Sequence, residues 1–280
     1  MTIKTLEEIT RDYLNEATKA AVETFSGSVV PVYGSTEHGH PDHLATAMLL
    51  ELSEGKFLLT AAHVLDHNET TTLYVGVDDF VTLQFEALAS AAPNGDRDKD
   101  HIDFAIARLD AVSVAKLSNA KFIAEAQISR SVASSEGRLY TCLGYPNSKN
   151  VVKPFKGPLI TPYRLPYTSV GRPASALPDD ARDEFHILVD YDSRYTRDED
   201  GNKMSATNMR GCSGGAIIDH GKIELESLPT LAEPKLAGLF IEGHRDEKII
   251  LGTRVSAILA AVRQHWNAPT LVSPDDNVDN

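Results

Sequence analysis

The chain has 280 residues, of which 42% are hydrophobic and 24% charged. That is the make-up of a soluble globular protein with one substantial core or two small ones. Its 40 acidic residues against 27 basic ones leave a net charge of −13, which argues against a nucleic-acid partner, because phosphate neutralisation needs concentrated Lys and Arg. No apolar run approaches the ~20 residues of a membrane-spanning helix, and the acidic residues within Met1–Asp12 interrupt the apolar stretch a secretory leader would need.

In chain order, Leu6, Ile9, Tyr13, Leu14, Ala17, Ala20 and Ala21 follow the three-and-four spacing of an amphipathic helix over Thr5–Glu23. Gly27–Tyr33 reads as a first strand and Glu37–His43 as the loop leaving it. That loop holds His38, His40 and His43, expected as exposed histidines and not as a metal site, since no Cys or carboxylate pattern accompanies them. Strands follow at Leu44–Leu50 and Lys56–Thr60, the latter running into His63 through Ala61-Ala62. Short β-like runs at Thr72–Val77 and Val81–Leu88 lead into a polar turn, Pro93–Asp100. Of Asp98, Asp100 and Asp103, only Asp103 is followed by the apolar alternation, Phe104 to Ala107, that would bury it.

Arg138–Pro146 reads as the next strand. A proline-rich, charged region then runs from Asn147 to Asn208, broken by the apolar run Phe185–Tyr191, with Arg164–Asp183 and Ser193–Lys203 expected as exposed loops. Glycines surround Ser213 in Gly211-Cys212-Ser213-Gly214-Gly215. Such a backbone can hold a hydroxyl exposed and fixed, and with no side chain at 211 its N–H can join that of Ser213 on a developing negative oxygen. Ala216–Ile218 and Leu236–Gly243 read as strands, Asp219–Pro234 as a hairpin extension, Ser256–Trp266 as a helix and Asn267–Asn280 as a frayed tail.

Thr60-Ala61-Ala62-His63, then Asp103-Phe104-Ala105-Ile106, then Gly211-Cys212-Ser213-Gly214-Gly215, in that order, resemble the trypsin/chymotrypsin-like serine proteases. The resemblance implies an all-β fold of two six-stranded antiparallel Greek-key barrels. These would occupy about 26–115 and 130–255, with residues 1–25 as an extra helical extension and a C-terminal helix over 253–266. It makes Ser213 the nucleophile, His63 the general base and Asp103 the carboxylate that orients the imidazole, with Gly211 and Ser213 donating to the oxyanion. It implies a serine endopeptidase acting on protein or peptide substrates without metal or other cofactor. Leu109–Ala126 becomes the crossing between barrels and Leu236–Gly243 the strand that pairs with an extended substrate. The two cysteines, Cys142 and Cys212, have no disulfide partner in this pattern and are expected reduced, which together with the N-terminus points to the cytoplasm.

Three departures qualify the resemblance. Cys212 stands where digestive members carry an aspartate that pairs with a freshly cut N-terminus, so maturation by such a cut is not expected; a regulatory partner or ligand is. By position, Thr207 falls near the base of the specificity pocket with Gly243 and Gly252 on its walls, and no acidic residue occupies that base. The glycine frame also fits the Gly-x-Ser-x-Gly elbow of α/β-hydrolases, although there the acid and histidine follow the serine. A Cys212 nucleophile and a catalytically silent peptide binder are the other readings.

Overall fold

A computed structural model describes residues 4–77, 80–82, 85–151, 162–177, 179, 181–192, 208–223 and 231–266. Thr207, the Ser193–Lys203 loop and the Asn267–Asn280 tail lie outside the described residues. The chain opens with helix α1 (Leu6–Phe25), capped by Thr5, whose hydroxyl accepts from the Glu8 N–H while the Glu8 carboxylate accepts from the Thr5 N–H. Its buried stripe, Ala17, Ala21 and Phe25, is the inward face of the predicted amphipathic helix.

Strands β1 (Val29–Ser35), β2 (Pro41–Leu52), β3 (Gly55–Thr60), β4 (Tyr74–Gly76), β5 (Phe80–Thr82), β6 (Phe85–Ala89), β7 (Ala105–Leu109) and β8 (Ile123–Ala124) form one sheet. Its order is β5-β4-β1-β2-β3-β7-β6, with β8 pairing parallel to β2. The short helices α2 (Ala62–Asp66) and α3 (Ala111–Lys116) follow β3 and β7. Among the described residues this sheet is a half-barrel, which is consistent with the expected two-barrel fold without completing it. Its edges, β5 and β6, are three and five residues long, and no β5–β6 ladder joins them.

The second unit does close. Strands β9 (Arg138–Gly144), β10 (Leu165–Arg172), β11 (His186–Asp190), β12 (Ala216–Lys222), β13 (Lys235–His244) and β14 (Ile249–Arg254) run in the order β10-β11-β14-β13-β12-β9 as a closed six-stranded barrel. Helix α4 (Val255–Trp266) ends the described chain. The expected exposed loop from Arg164 to Asp183 is corrected here: its first half is β10, which pairs with β9 from Leu165↔Gly144 to Val170↔Leu139 and closes the barrel. Strands β9, β11, β12 and β13 fall on the predicted apolar runs.

Two apolar clusters follow from strand alternation. Cys142, Tyr167, Ile187, Ile217, Phe240 and Ile250, drawn from all six strands, pack together inside the barrel. Their neighbours on the opposite face, among them Leu143, Leu188, Ala216 and Ile218, join one continuous core with the half-barrel sheet, Phe25 of α1 and Ile258 of α4. The two β units therefore share a core, and the candidate motifs lie along that seam. No helix among the described residues is long and apolar enough to cross a membrane.

Candidate active site

His63 comes from α2, directly after β3, and Asp103 from the turn before β7, the strand paired with β3 from Thr60↔Ala105 to Phe57↔Arg108. Strand pairing thus brings together two residues forty positions apart. The His63 Nδ1–H donates to Asp103 Oδ2 at 2.6 Å and the His63 backbone N–H to Asp103 Oδ1 at 3.0 Å. A backbone bond from the Ala62 N–H to the Asp103 carbonyl adds a third tie. The Asp103 side chain is only 10% exposed and the His63 side chain 38%. One imidazole edge is therefore committed to a buried carboxylate, while Nε2 has no hydrogen-bond partner among the described residues.

Asp103 adopts φ +35°, a left-handed conformation in which a non-glycine residue is uncommon and often tied to function. Asp100 supports it. The buried Asp100 carboxylate accepts from the N–H groups of Ile102 and Asp103 at 3.2 and 3.1 Å, and Arg97 donates to the same carboxylate. Arg97 also forks onto Asp66 at 2.9 and 3.2 Å, the last residue of α2. The turn carrying the aspartate and the helix carrying the histidine are tied by one guanidinium. Asp98, the other contender, is exposed. The same turn is fastened to the barrel, because Thr253 Oγ1 donates to the Ile102 carbonyl at 2.6 Å and His186 Nε2 to the His101 carbonyl at 2.9 Å.

Ser213 lies in the turn before β12. Its carbonyl accepts from the Thr46 N–H at 2.9 Å, and the next residue, Gly214, has φ +88° with an ideal Cβ overlapping the Thr46 carbonyl and Thr60 Oγ1. Only glycine fits there. Thr60 is the last residue of β3, three before His63, so this contact sets the serine turn against the segment that carries the histidine. The Ser213 hydroxyl donates to the Ile241 carbonyl of β13 at 2.8 Å; it is not bonded to His63.

The Arg210–Gly211 and Cys212–Ser213 peptides are held by their carbonyls. Arg210 O accepts from the Asn147 N–H at 2.8 Å, and Cys212 O from the Gly215 N–H at 2.9 Å. In a trans peptide the N–H points opposite the carbonyl, so these bonds fix the directions of the Gly211 and Ser213 N–H groups. Among the described residues neither donates to a protein acceptor. Thr46 adds a further restraint, its hydroxyl donating to Gly211 O at 2.8 Å and accepting from the Tyr145 N–H at 2.9 Å.

Beside Ser213 opens a cavity of about 520 Å³ lined by Tyr191, Asp192, Met209, Phe240, Glu242 and Gly243 among others. Gly243 is among the residues that line it. Gly252 is not among them: it is buried within the barrel, where an ideal Cβ would overlap Ile217 Cδ1. Cys212 is buried as a free thiol, and burial pushes its pKa far up, as it does for Cys142. The expected histidine loop is also revised. His38 and His40 are exposed, but His43 is 4% exposed within β2, with Nδ1 2.7 Å from Asn147 Oδ1. Among the described residues no cluster of three or more His, Cys, Asp or Glu is placed to hold a metal ion.

Asn147, Thr46 and Arg97 were not singled out from the sequence, His43 was expected as an exposed loop histidine, and Asp100 was weighed only as a rival to Asp103. Only Asp100 carried a readable sign, an aspartate whose side chain can take the N–H groups two and three residues ahead. The β-barrel architecture is compatible with a chymotrypsin-like fold. In comparisons with known proteins, no family model and no curated protein matches the chain.

Proposed function

We propose that the protein is a serine endopeptidase in which Ser213 is the nucleophile, His63 the general base and Asp103 its orienting carboxylate. The observation that carries this reading is the pair of hydrogen bonds from His63 to Asp103, which leaves Nε2 without a partner among the described residues, while the serine turn set against Thr60 carries two N–H groups that donate to no described acceptor. In the reaction, Ser213 Oγ bonds to the carbonyl carbon of the scissile peptide as its proton passes to His63 Nε2. The Gly211 and Ser213 N–H groups take the charge on the carbonyl oxygen. His63 then returns the proton to the amine as the C–N bond breaks, and water repeats the sequence on the acyl-enzyme.

The Ser213 hydroxyl must first leave the Ile241 carbonyl, a rotation about its own Cα–Cβ bond. Catalytic hydrogen bonds are commonly loose before substrate binds. The same contact favours a second reading, a silent peptide binder with its serine turned away. The ties on the Arg210 and Cys212 carbonyls support an oxyanion site already formed in the free chain; a regulatory partner or ligand remains part of the proposal.

Reaction with a fluorophosphonate probe separates the readings. The wild type and Cys212→Ala should label, because the buried high-pKa thiol takes no part, whereas Ser213→Ala and His63→Ala should not. A wild type that fails to label while binding peptides would support the silent form, and labelling that survives in Ser213→Ala would dismiss the assignment.

A further inference from the structure

On the basis of that reading, we propose that Asn147, held by the buried His43, is a positioning residue that sets the oxyanion-binding N–H of Gly211. Asn147 touches Gly211 twice over. Its backbone N–H donates to the Arg210 carbonyl at 2.8 Å, which is the other half of the peptide whose N–H belongs to Gly211. Its side-chain oxygen lies against the Gly211 Cα, where an ideal Cβ would overlap it. Gly211 has φ +93°, so both the backbone conformation and the neighbour demand glycine.

The side chain of Asn147 is itself held. His43 Nδ1 lies 2.7 Å from Asn147 Oδ1, and because an amide oxygen only accepts, that nitrogen carries the proton. A neutral ring with a single N–H then leaves Nε2 bare, and Nε2 is buried without a partner. Burial holds the ring neutral by pulling its pKa down to about 4. Tyr33 and Tyr145 stand edge-on to it, fixing its plane. The chain of contacts runs from β2 through His43 to Asn147 and on to the Arg210–Gly211 peptide. None of its groups donates or accepts a proton in the proposed reaction, and the effect argued for it is on where the N–H points.

The consequence is felt in the transition state and little in the ground state. Removing an oxyanion donor costs roughly 10²–10³ in turnover, and letting one swing should cost part of that. Asn147→Ala and His43→Leu are expected to lower kcat about 10- to 100-fold with KM nearly unchanged. His43→Asn, which restores a donor near the Nδ1 position, should recover most of the loss. The test uses a peptide selected from the cleavage products of denatured casein and a peptide aldehyde of the same sequence as transition-state mimic. The aldehyde's affinity should fall by the same factor as kcat/KM, while that of the product peptide holds.

Either variant cleaving within twofold of the wild type overturns the inference, as does a loss expressed in KM alone. If His43→Leu does not fold, Asn147→Ala, at a partly exposed position, decides. Ser213→Ala is run alongside. Absence of any Ser213-dependent cleavage in the wild type overturns the protease reading and this inference together, whereas robust wild-type cleavage with indifferent Asn147 and His43 variants overturns the inference alone.

Discussion

Asp103 has to satisfy two demands at once, a left-handed backbone at φ +35° and a carboxylate aimed back at His63. Asparagine tolerates the same backbone nearly as well as aspartate, so Asp103→Asn should leave the fold intact. What changes is the chemistry at His63 Nδ1. An amide neither stabilises an imidazolium nor enforces the tautomer with Nε2 bare, and in serine-protease triads the same exchange lowers kcat about 10⁴-fold. A loss of that order is expected here, with an unchanged far-ultraviolet circular dichroism spectrum. By contrast Asp100, whose carboxylate meets only Arg97, Ser90 and two backbone N–H groups, acts on the turn alone. The sequence separates these two aspartates by a single feature, the apolar alternation after Asp103, and that feature is also what pairs β7 with β3 beneath the histidine.

At the scale of elements, what alternation or helical spacing announces is where the strands and helices lie. Leu58–Thr60, Ala105–Ala107, Ile187–Val189 and Leu236–Ile241 are apolar runs, and each is a strand buried on both faces. Leu165–Arg172 escapes because its apolar signal is broken by Pro166, Thr168, Ser169 and Gly171; it is a strand because β9 offers it a full ladder, a long-range fact no local pattern contains. His43 escapes for a related reason: Pro41 and Asp42 read as loop, and only the pairing Tyr33↔His43 draws that segment into β2. Helix α1 was legible as an amphipathic helix, but its docking was not. Phe25 is 1% exposed within the shared core, and Thr18 Oγ1 meets Thr168 Oγ1 of β10 at 2.6 Å. Phe25→Ala should therefore cost about 3–5 kcal/mol in urea unfolding, whereas Leu6→Ala at a position 79% exposed should change stability by less than about 0.5 kcal/mol. Equal, small effects would mean that the helix is not part of the cooperative unit.

The whole molecule is joined across its seam by neutral histidines. His43 links β2 to Asn147 beyond β9, and His186 of β11 donates through Nε2 to the His101 carbonyl while its Nδ1 accepts from the Arg182 N–H. A protonated His186 would turn an N–H against that donor. Within the barrel, His220 is 1% exposed, with Nε2 2.8 Å from Thr141 Oγ1. Burial pulls His43 and His220 down to about 4 and lowers His186 as well. The unfolded chain, with histidines near their ordinary value of about 6.5, binds protons that the folded chain refuses. Stability from these rings is thus complete above about pH 6.5 and is lost as pH falls toward 4, at about 1.4 kcal/mol per pH unit for each ring inside that window. His43 and His220 together should contribute a slope of about 3 kcal/mol per pH unit near pH 5. Carboxylates that the fold holds ionised steepen acid unfolding in the same direction, so the slope alone does not identify the rings. Replacing one does: His220→Gln keeps a polar partner for Thr141 and cannot take up the proton. Urea unfolding at pH 7, 6 and 5 should show that variant losing less stability on acidification than the wild type, by about one ring's share. Parallel curves for the two proteins would mean that His220 binds its proton as readily folded as unfolded, and the fold would then owe its acid sensitivity to other groups.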